Sequence, residues 1–237
     1  ATATVVVNPL PTASVTPSSV TLCSGQSTTL TASGGVSYNW LPGGMTTAGI
    51  AVNPTTNTTY TVVVTAANSC TNSTTALVTV NSTPMITVIP ASTTICAGTN
   101  ATLTASGGVT YVWSTTQTIN PITVSPTGTS TYTVTGTDVN GCTNIQTATI
   151  AQSTALSVGV TPVNASCLNN DGSVSVNVSG GTLPYSYNWN PSVQTTATAT
   201  GLSGITIYTV IITDANGCST IEMLTITQPA LLMATIS

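Results

Sequence analysis

The chain is 237 residues long, contains no lysine, arginine or histidine, and has four acidic residues, Asp138, Asp171, Asp214 and Glu222, for a formal net charge of −4. General acid–base catalysis and nucleophile activation draw chiefly on the missing side chains, so no enzyme and no cofactor is expected. Without cations the chain cannot displace counterions from nucleic acid or hold to anionic lipid, and Thr, Ser, Asn and Gly interrupt the apolar residues too often for a membrane-inserted segment.

Threonine and valine are abundant while leucine, glutamate and lysine, the usual helix formers, are scarce or missing, so strands are expected throughout. Residues 1–8 lack the basic start and long apolar core of a signal peptide, and the chain reads as a mature fragment. They look instead like residues 76–81, the closing strand of a module. The first full module spans 12–81. It carries Cys23, then Leu30 and Ala32 leading into Ser33-Gly34-Gly35, then Trp40, an alternating strand around Tyr60, Cys70 after Ala67-Asn68-Ser69, and a last strand marked by Ala76 and Val78. The second, 82–152, repeats this with Cys96, Leu103, Ala105, Ser106-Gly107-Gly108, Trp113, Tyr132, Val139-Asn140-Gly141, Cys142, Ala148 and Ile150. The third, 153–229, has Cys167, Val176, Val178, Ser179-Gly180-Gly181, Trp189, Tyr208, Ala215-Asn216-Gly217, Cys218, Leu224 and Ile226. Residues 230–237 resemble 85–89, an opening strand.

The spacing is regular. Tyrosine follows tryptophan by 20, 19 and 19 residues, and cysteine follows that tyrosine by 10 each time. Tandem domains follow from a period above 70 residues, and short alternating strands separated by turn signals describe immunoglobulin-like β-sandwiches. Asn-Gly is a strong hairpin signal before Cys142 and Cys218. The fold class is therefore all-β: tandem immunoglobulin-like sandwich domains in a rod, the short joints limiting their flexing. Trp40, Trp113, Trp189, Tyr60, Tyr132 and Tyr208 are the candidate core aromatics.

Six cysteines permit 15 pairings. The expected one closes each module on itself, Cys23 with Cys70, Cys96 with Cys142 and Cys167 with Cys218, each loop contributing roughly 4 kcal/mol by chain entropy. The stapled-module architecture and the role drawn from it are made to depend on that pairing. Disulfides place the protein outside the cell. The outer strands are either parts of a longer repeat protein or inter-subunit strands that complete a neighbour's sheet, through Thr4, Val5, Val6, Val7, Leu232, Met233 and Ile236. The second case makes the chain its own partner, a homopolymer.

Other chemistry is weighed against plainer roles. Asp138, Asp171 and Asp214 lie in turn-like sequence, where aspartate accepts backbone hydrogen bonds; too few carboxylates converge for calcium, and no zinc spacing exists, so no metal is expected. Glu222 reads as an edge charge. The tryptophans could stack on glycans, but their shared position in each module favours the core; Tyr38, Tyr111, Tyr185 and Tyr187 remain open. The many Thr and Ser hydroxyls offer sites for modification, as in a glycoprotein. Thr59, Thr61, Val63 and Thr65 could present a flat array to ice or mineral. The chain also offers no cleavage site to proteases that require Lys or Arg.

Residues 164–174, 180–189 and 213–218, with Asn170-Asp171-Gly172, Leu183-Pro184-Tyr185 and Asp214-Ala215-Asn216-Gly217-Cys218, resemble the SprB-type repeats of gliding-motility adhesins, a likeness covering roughly 156–229. The first two modules, with Cys-Ser-Gly or Cys-Ala-Gly and Leu-Thr-Ala-Ser-Gly-Gly, look like the immunoglobulin-like or PKD-like repeats of large Bacteroidota surface proteins. The resemblance implies an extracellular, cell-surface protein of adhesion, gliding motility or an external filament or sheath, with no catalytic residue. Two roles follow: a structural repeat protein of an extracellular filament assembled by strand complementation, or an adhesin holding glycans or solid surfaces through exposed loops.

Overall fold

Alternation of apolar residues with threonine gives each strand one face to bury, and the computed structural model shows how those faces meet. It describes residues 2–5, 7–167 and 169–230, which contain twenty strands and no helix.

In the first repeat, β1 (Ser14–Thr16), β2 (Ser19–Cys23), β3 (Thr28–Ser33), β4 (Ser37–Leu41), β5 (Gly49–Val52), β6 (Thr58–Thr65) and β7 (Thr71–Asn81) make two sheets, β1-β3-β5 and β2-β7-β6-β4. Leu30, Ala32, Ile50 and Val52 of one sheet close a core with Trp40, Val62, Val64, Ala76 and Val78 of the other. Pro17 lies between β1 and β2, where its missing N–H ends one ladder, and the chain then crosses to the other sheet. There β2 runs parallel to β7, with Ser19 opposite Leu77 and Cys23 opposite Asn81.

The second repeat has the same order. β8 (Thr87–Ile89), β10 (Ala101–Ser106) and β12 (Ile122–Val124) form one sheet, and β9 (Ser92–Ile95), β11 (Thr110–Trp113), β13 (Ser130–Thr137) and β14 (Thr143–Gln152) form the other. β9 again runs parallel to β14, with Ile95 opposite Gln152. Leu103, Ala105, Trp113, Ile122, Val134, Ala148 and Ile150 are buried.

The third repeat departs slightly. β15 (Ser157–Val163), β16 (Gly172–Ser179) and β18 (Thr198–Leu202) face β17 (Ser186–Asn190), β19 (Thr206–Thr213) and β20 (Ser219–Ile226) across a core of Val174, Trp189, Ala199, Leu202, Tyr208, Val210, Ile212 and Ile226. Among the described residues its parallel strand is reduced to one backbone hydrogen bond, the Ala165 N–H donating to the Thr227 carbonyl at 3.0 Å, beside which the Thr227 N–H donates to the Asn164 side chain at 3.2 Å.

The Ser-Gly-Gly turns show why glycine is needed. Gly34, Gly107 and Gly180 have φ of +100°, +94° and +76°, and a Cβ there would sit 1.9–2.1 Å from the carbonyls of Thr12, Met85 and Ala155 respectively.

The chain divides into two compact units, residues 1–86 with 107–111 and 135–145, and residues 87–106 with 112–134 and 146–237. In the first, the turn at Gly107 and the hairpin of residues 135–145 pack on the segment around Pro84: Asn144 Nδ2 donates to the Pro84 carbonyl at 2.9 Å.

Candidate functional site

Cysteine occupies two kinds of position. Cys23, Cys96 and Cys167 stand where the segment that runs parallel to the last strand ends and a turn begins. The Gln26 N–H donates to the Cys23 carbonyl and the Thr99 N–H to the Cys96 carbonyl, each at 3.0 Å. At Cys167 the turn is held by Asp171, which accepts from the Ser166 N–H at 2.7 Å and from the Ser166 hydroxyl. These hydrogen bonds hold the Asp171 carboxyl below the ordinary aspartate value.

Cys70, Cys142 and Cys218 stand at the end of a hairpin turn. Asp138 and Asp214 organise the last two: each accepts at one oxygen from the asparagine N–H two residues on (2.9 Å) and the cysteine N–H four residues on (2.8 Å). Gly141 and Gly217 take φ near +80°, and the Gly N–H donates to the Asp carbonyl, so the loop is a type I turn followed by a left-handed residue. In the first repeat Asn68 supplies the acceptor for the Cys70 N–H and Ser69 takes the left-handed position, at φ +62°. Asp214 also accepts from the Thr182 N–H at 2.9 Å. Burial alone would raise its carboxyl pKa, but the N–H donors from Cys218, Thr182, Asn216 and Gly217 outweigh it and hold the group below its ordinary value. Turn building, as expected, is what these aspartates do.

The disulfides correct the expected pairing. Cys23 is bonded to Cys142 and Cys96 to Cys218, with Cα–Cα distances of 5.5 and 5.4 Å, while Cys70 and Cys167 are free. No bridge closes a repeat on itself; each links the turn of one repeat to the hairpin of the next. The register explains this. Cys23 lies opposite Asn81 at the end of β7, and Cys70 lies eleven residues earlier, just before that strand begins. At about 3.3 Å per residue, the two are roughly 36 Å apart, whereas a disulfide needs Cα atoms within about 7 Å. The sandwiches close without that staple, through their cores.

Trp40, Trp113 and Trp189 are fully buried and Tyr60 and Tyr208 nearly so, but Tyr132 is only half-buried. The Trp40 and Trp189 Nε1–H groups donate to the carbonyls of Thr47 (3.0 Å) and Thr196 (2.9 Å), whereas buried Trp113 Nε1 has no partner. The loop after Trp113 is one residue shorter: the Trp113 backbone N–H donates to the carbonyl of Gln117, four residues on, where those of Trp40 and Trp189 donate to the carbonyls of Met45 and Gln194, five residues on. Three of the four open tyrosines have structural work. Tyr38, Tyr111 and Tyr185 donate their hydroxyls to the carbonyls of Gly35, Gly108 and Gly180, tying down the glycine turns. Tyr187 packs on the third core.

The threonine array of β6 is half-buried at Thr61, Val63 and Thr65, since neighbouring strands flank β6 on both sides. Glu222 is half-buried on β20, an edge strand of its sheet. Thr4, Val5 and Val7 are exposed and form no strand within the chain; Val6, Leu232, Met233 and Ile236 lie outside the described residues. Among the described residues no group of three or more His, Cys, Asp or Glu could hold a metal ion, and no helix is long and apolar enough to cross a membrane.

Residues 159–194 match the SprB repeat, within the region of the third module where the likeness was expected. Among solved structures, the chain is similar to the three N-terminal domains of the bacteriophage RB49 Highly Immunogenic Outer Capsid protein (Hoc), with 16% identity and a TM-score of 0.43, over 93% of this chain and 99% of that one. It is similar to the eight N-terminal Ig domains of Down Syndrome Cell Adhesion Molecule isoform 1.30.30 at 11% identity and a TM-score of 0.44, over 92% of this chain and 37% of that one. Sidekick-1 immunoglobulin domains 1–5 match at 12% identity and a TM-score of 0.30, over 91% and 58%. No curated protein matches the chain. The strand order makes the chain an array of all-β, immunoglobulin-like repeats, the third of which contains the residues that match the SprB repeat, and its two disulfides fit an extracellular protein.

Proposed function

We propose that this chain is a non-enzymatic structural segment of an extracellular surface fibre, in which immunoglobulin-like and SprB-type repeats are bonded in series. The closure of each repeat on itself, on which that role was expected to depend, is absent, and the reading rests instead on the connectivity between repeats: Cys23–Cys142 and Cys96–Cys218 each join consecutive repeats. A bridge inside one repeat would stabilise that repeat alone. A bridge from one repeat to the next adds a second covalent path past the peptide joint, which suits a strand under tension. The charge-poor, Thr- and Ser-rich surface needs no ionic contacts for solubility and offers trypsin-like proteases no site.

In this reading the outer segments complete sheets in neighbouring copies. Val5 and Val7, 84% and 85% exposed in the single chain, are apolar side chains awaiting cover. Electron microscopy of the purified chain is the test. Fibres of constant width and fixed axial repeat support the proposal; dispersed short particles at every concentration tried would remove it.

A further inference from the structure

We propose that Cys70 of one copy and Cys167 of a second copy form a disulfide equivalent to the two inside the chain, so that copies join head to tail as a covalent series. This rests on the fibre reading and names the bond that would hold it.

The two formed bridges follow one rule: a turn cysteine of one repeat pairs with the hairpin cysteine of the next. Applying the rule to all three repeats uses four of the six cysteines and leaves one of each kind, hairpin Cys70 and turn Cys167. A second copy carries the complementary type for each of them. Two Cys70 thiols, or two Cys167 thiols, would be a pairing of like with like that occurs nowhere in the chain.

The local surroundings match those of the bridged pairs. Cys70 stands in a hairpin with the same backbone bonds as its bridged equivalents: the Ala66 N–H donates to its carbonyl at 2.9 Å, as Asp138 does to Cys142 and Asp214 to Cys218. That hairpin lies against the segment that leads into the first repeat, Asn68 Nδ2 donating to the Pro9 carbonyl and Asn72 Nδ2 to the Pro11 carbonyl, as Asn144 does to Pro84 in the second. Cys167 lies at the other side of its repeat, its thiol 3.9 Å from the Pro229 carbonyl, just past the last strand. Cys23 is likewise paired in register with Asn81, the last residue of β7. Burial differs as the proposal requires. Among hairpin cysteines, bridged Cys142 and Cys218 are 0% and 7% exposed and free Cys70 is half-buried; among turn cysteines, bridged Cys23 and Cys96 are half-buried and free Cys167 is exposed.

The bond forms by exchange with a low-molecular-weight disulfide as oxidant. The Cys70 thiolate attacks one sulfur of that disulfide and expels one thiolate. The Cys167 thiolate of the second copy then attacks the Cys70 sulfur and expels the other. Two protein thiols become one disulfide, the oxidant becomes two thiols, and the two cysteine protons pass to the departing thiolates.

The full chain, oxidised in a glutathione redox buffer, is run on non-reducing gels. A ladder of whole-number multiples that collapses to monomer on reduction is expected. Cys70→Ser and Cys167→Ser should each stay monomeric alone, with multimers below a tenth of the wild-type yield. Mixed, they should give a dimer and nothing longer, because one supplies only Cys167 and the other only Cys70. Chymotryptic digestion, needed because trypsin has no site, should yield the Cys70–Cys167 peptide pair. Intact mass showing two retained bridges in each variant establishes that it has folded. No wild-type ladder, a dimer from either variant alone, or a Cys70–Cys167 bond within a monomer would each overturn the proposal. Electron microscopy of the Cys70→Ser/Cys167→Ser double variant separates the readings: fibres there with no wild-type ladder sink the bond and leave the fibre standing, and a wild-type ladder without fibres does the reverse.

Discussion

Replacing each buried tryptophan by phenylalanine sets three equivalent sites against one another, and the shorter loop of the second repeat decides the order. Trp40, Trp113 and Trp189 are 0%, 2% and 0% exposed, so the loss of indole volume is nearly shared. The hydrogen bonds are not. At residues 40 and 189 the substitution removes a donor from the Thr47 and Thr196 carbonyls, a loss of about 1 kcal/mol given that both threonines are exposed and water can replace the indole. At residue 113 it removes a buried N–H that has no partner, relieving a penalty of about 1–3 kcal/mol. Trp113→Phe is therefore expected to cost about 2–4 kcal/mol less than either of the others. Hydrogen exchange reads each repeat separately, through the opening free energies of amides in β6, β13 and β19. A Trp113→Phe cost equal to or above that of Trp40→Phe would refute the reasoning.

Three further outcomes are expected. Gly107→Ala forces a side chain onto the Met85 carbonyl at φ +94° and should lower stability by roughly 3 kcal/mol or more, whereas Gly98→Ala, at φ +78° in open space, should cost about 1 kcal/mol; thermal melts of both variants check this. The Asp214 carboxyl binds its proton less tightly when folded, so its stabilisation is complete above the unfolded aspartate value of about 3.9. It fades as pH falls from there through the lower folded value. Asp214→Asn should thus weaken the chain at neutral pH and flatten the acid limb of a pH–stability curve. Replacing Cys96 and Cys218 together by alanine releases a link spanning 122 residues, an effect of about 5 kcal/mol by chain entropy. Denaturant unfolding should show Cys70→Ser shifting monomer stability by no more than about 0.5 kcal/mol; an effect near that of the double variant would mean Cys70 is already bonded.

Much of this molecule was legible in local pattern. Period-two alternation places Val62, Val64, Ala76 and Val78 inside; Ser-Gly-Gly marks turns that accept no side chain; Asp138 and Asp214 announce the hairpins they build. All of these are properties of a strand or turn within a few residues of itself, and the missing cations follow from composition alone. Which cysteines meet was decided elsewhere. The parallel pairing of β2 with β7 and of β9 with β14 has no connecting turn to set its register, so no short motif encodes it. That pairing carries the turn cysteine of one repeat to the far end of its last strand, out of reach of its own hairpin and beside that of the next repeat. The free indole N–H of Trp113 likewise goes with a loop one residue shorter in the second repeat. Composition and periodicity settled what kind of units these are; only long-range packing determined how sulfur joins them.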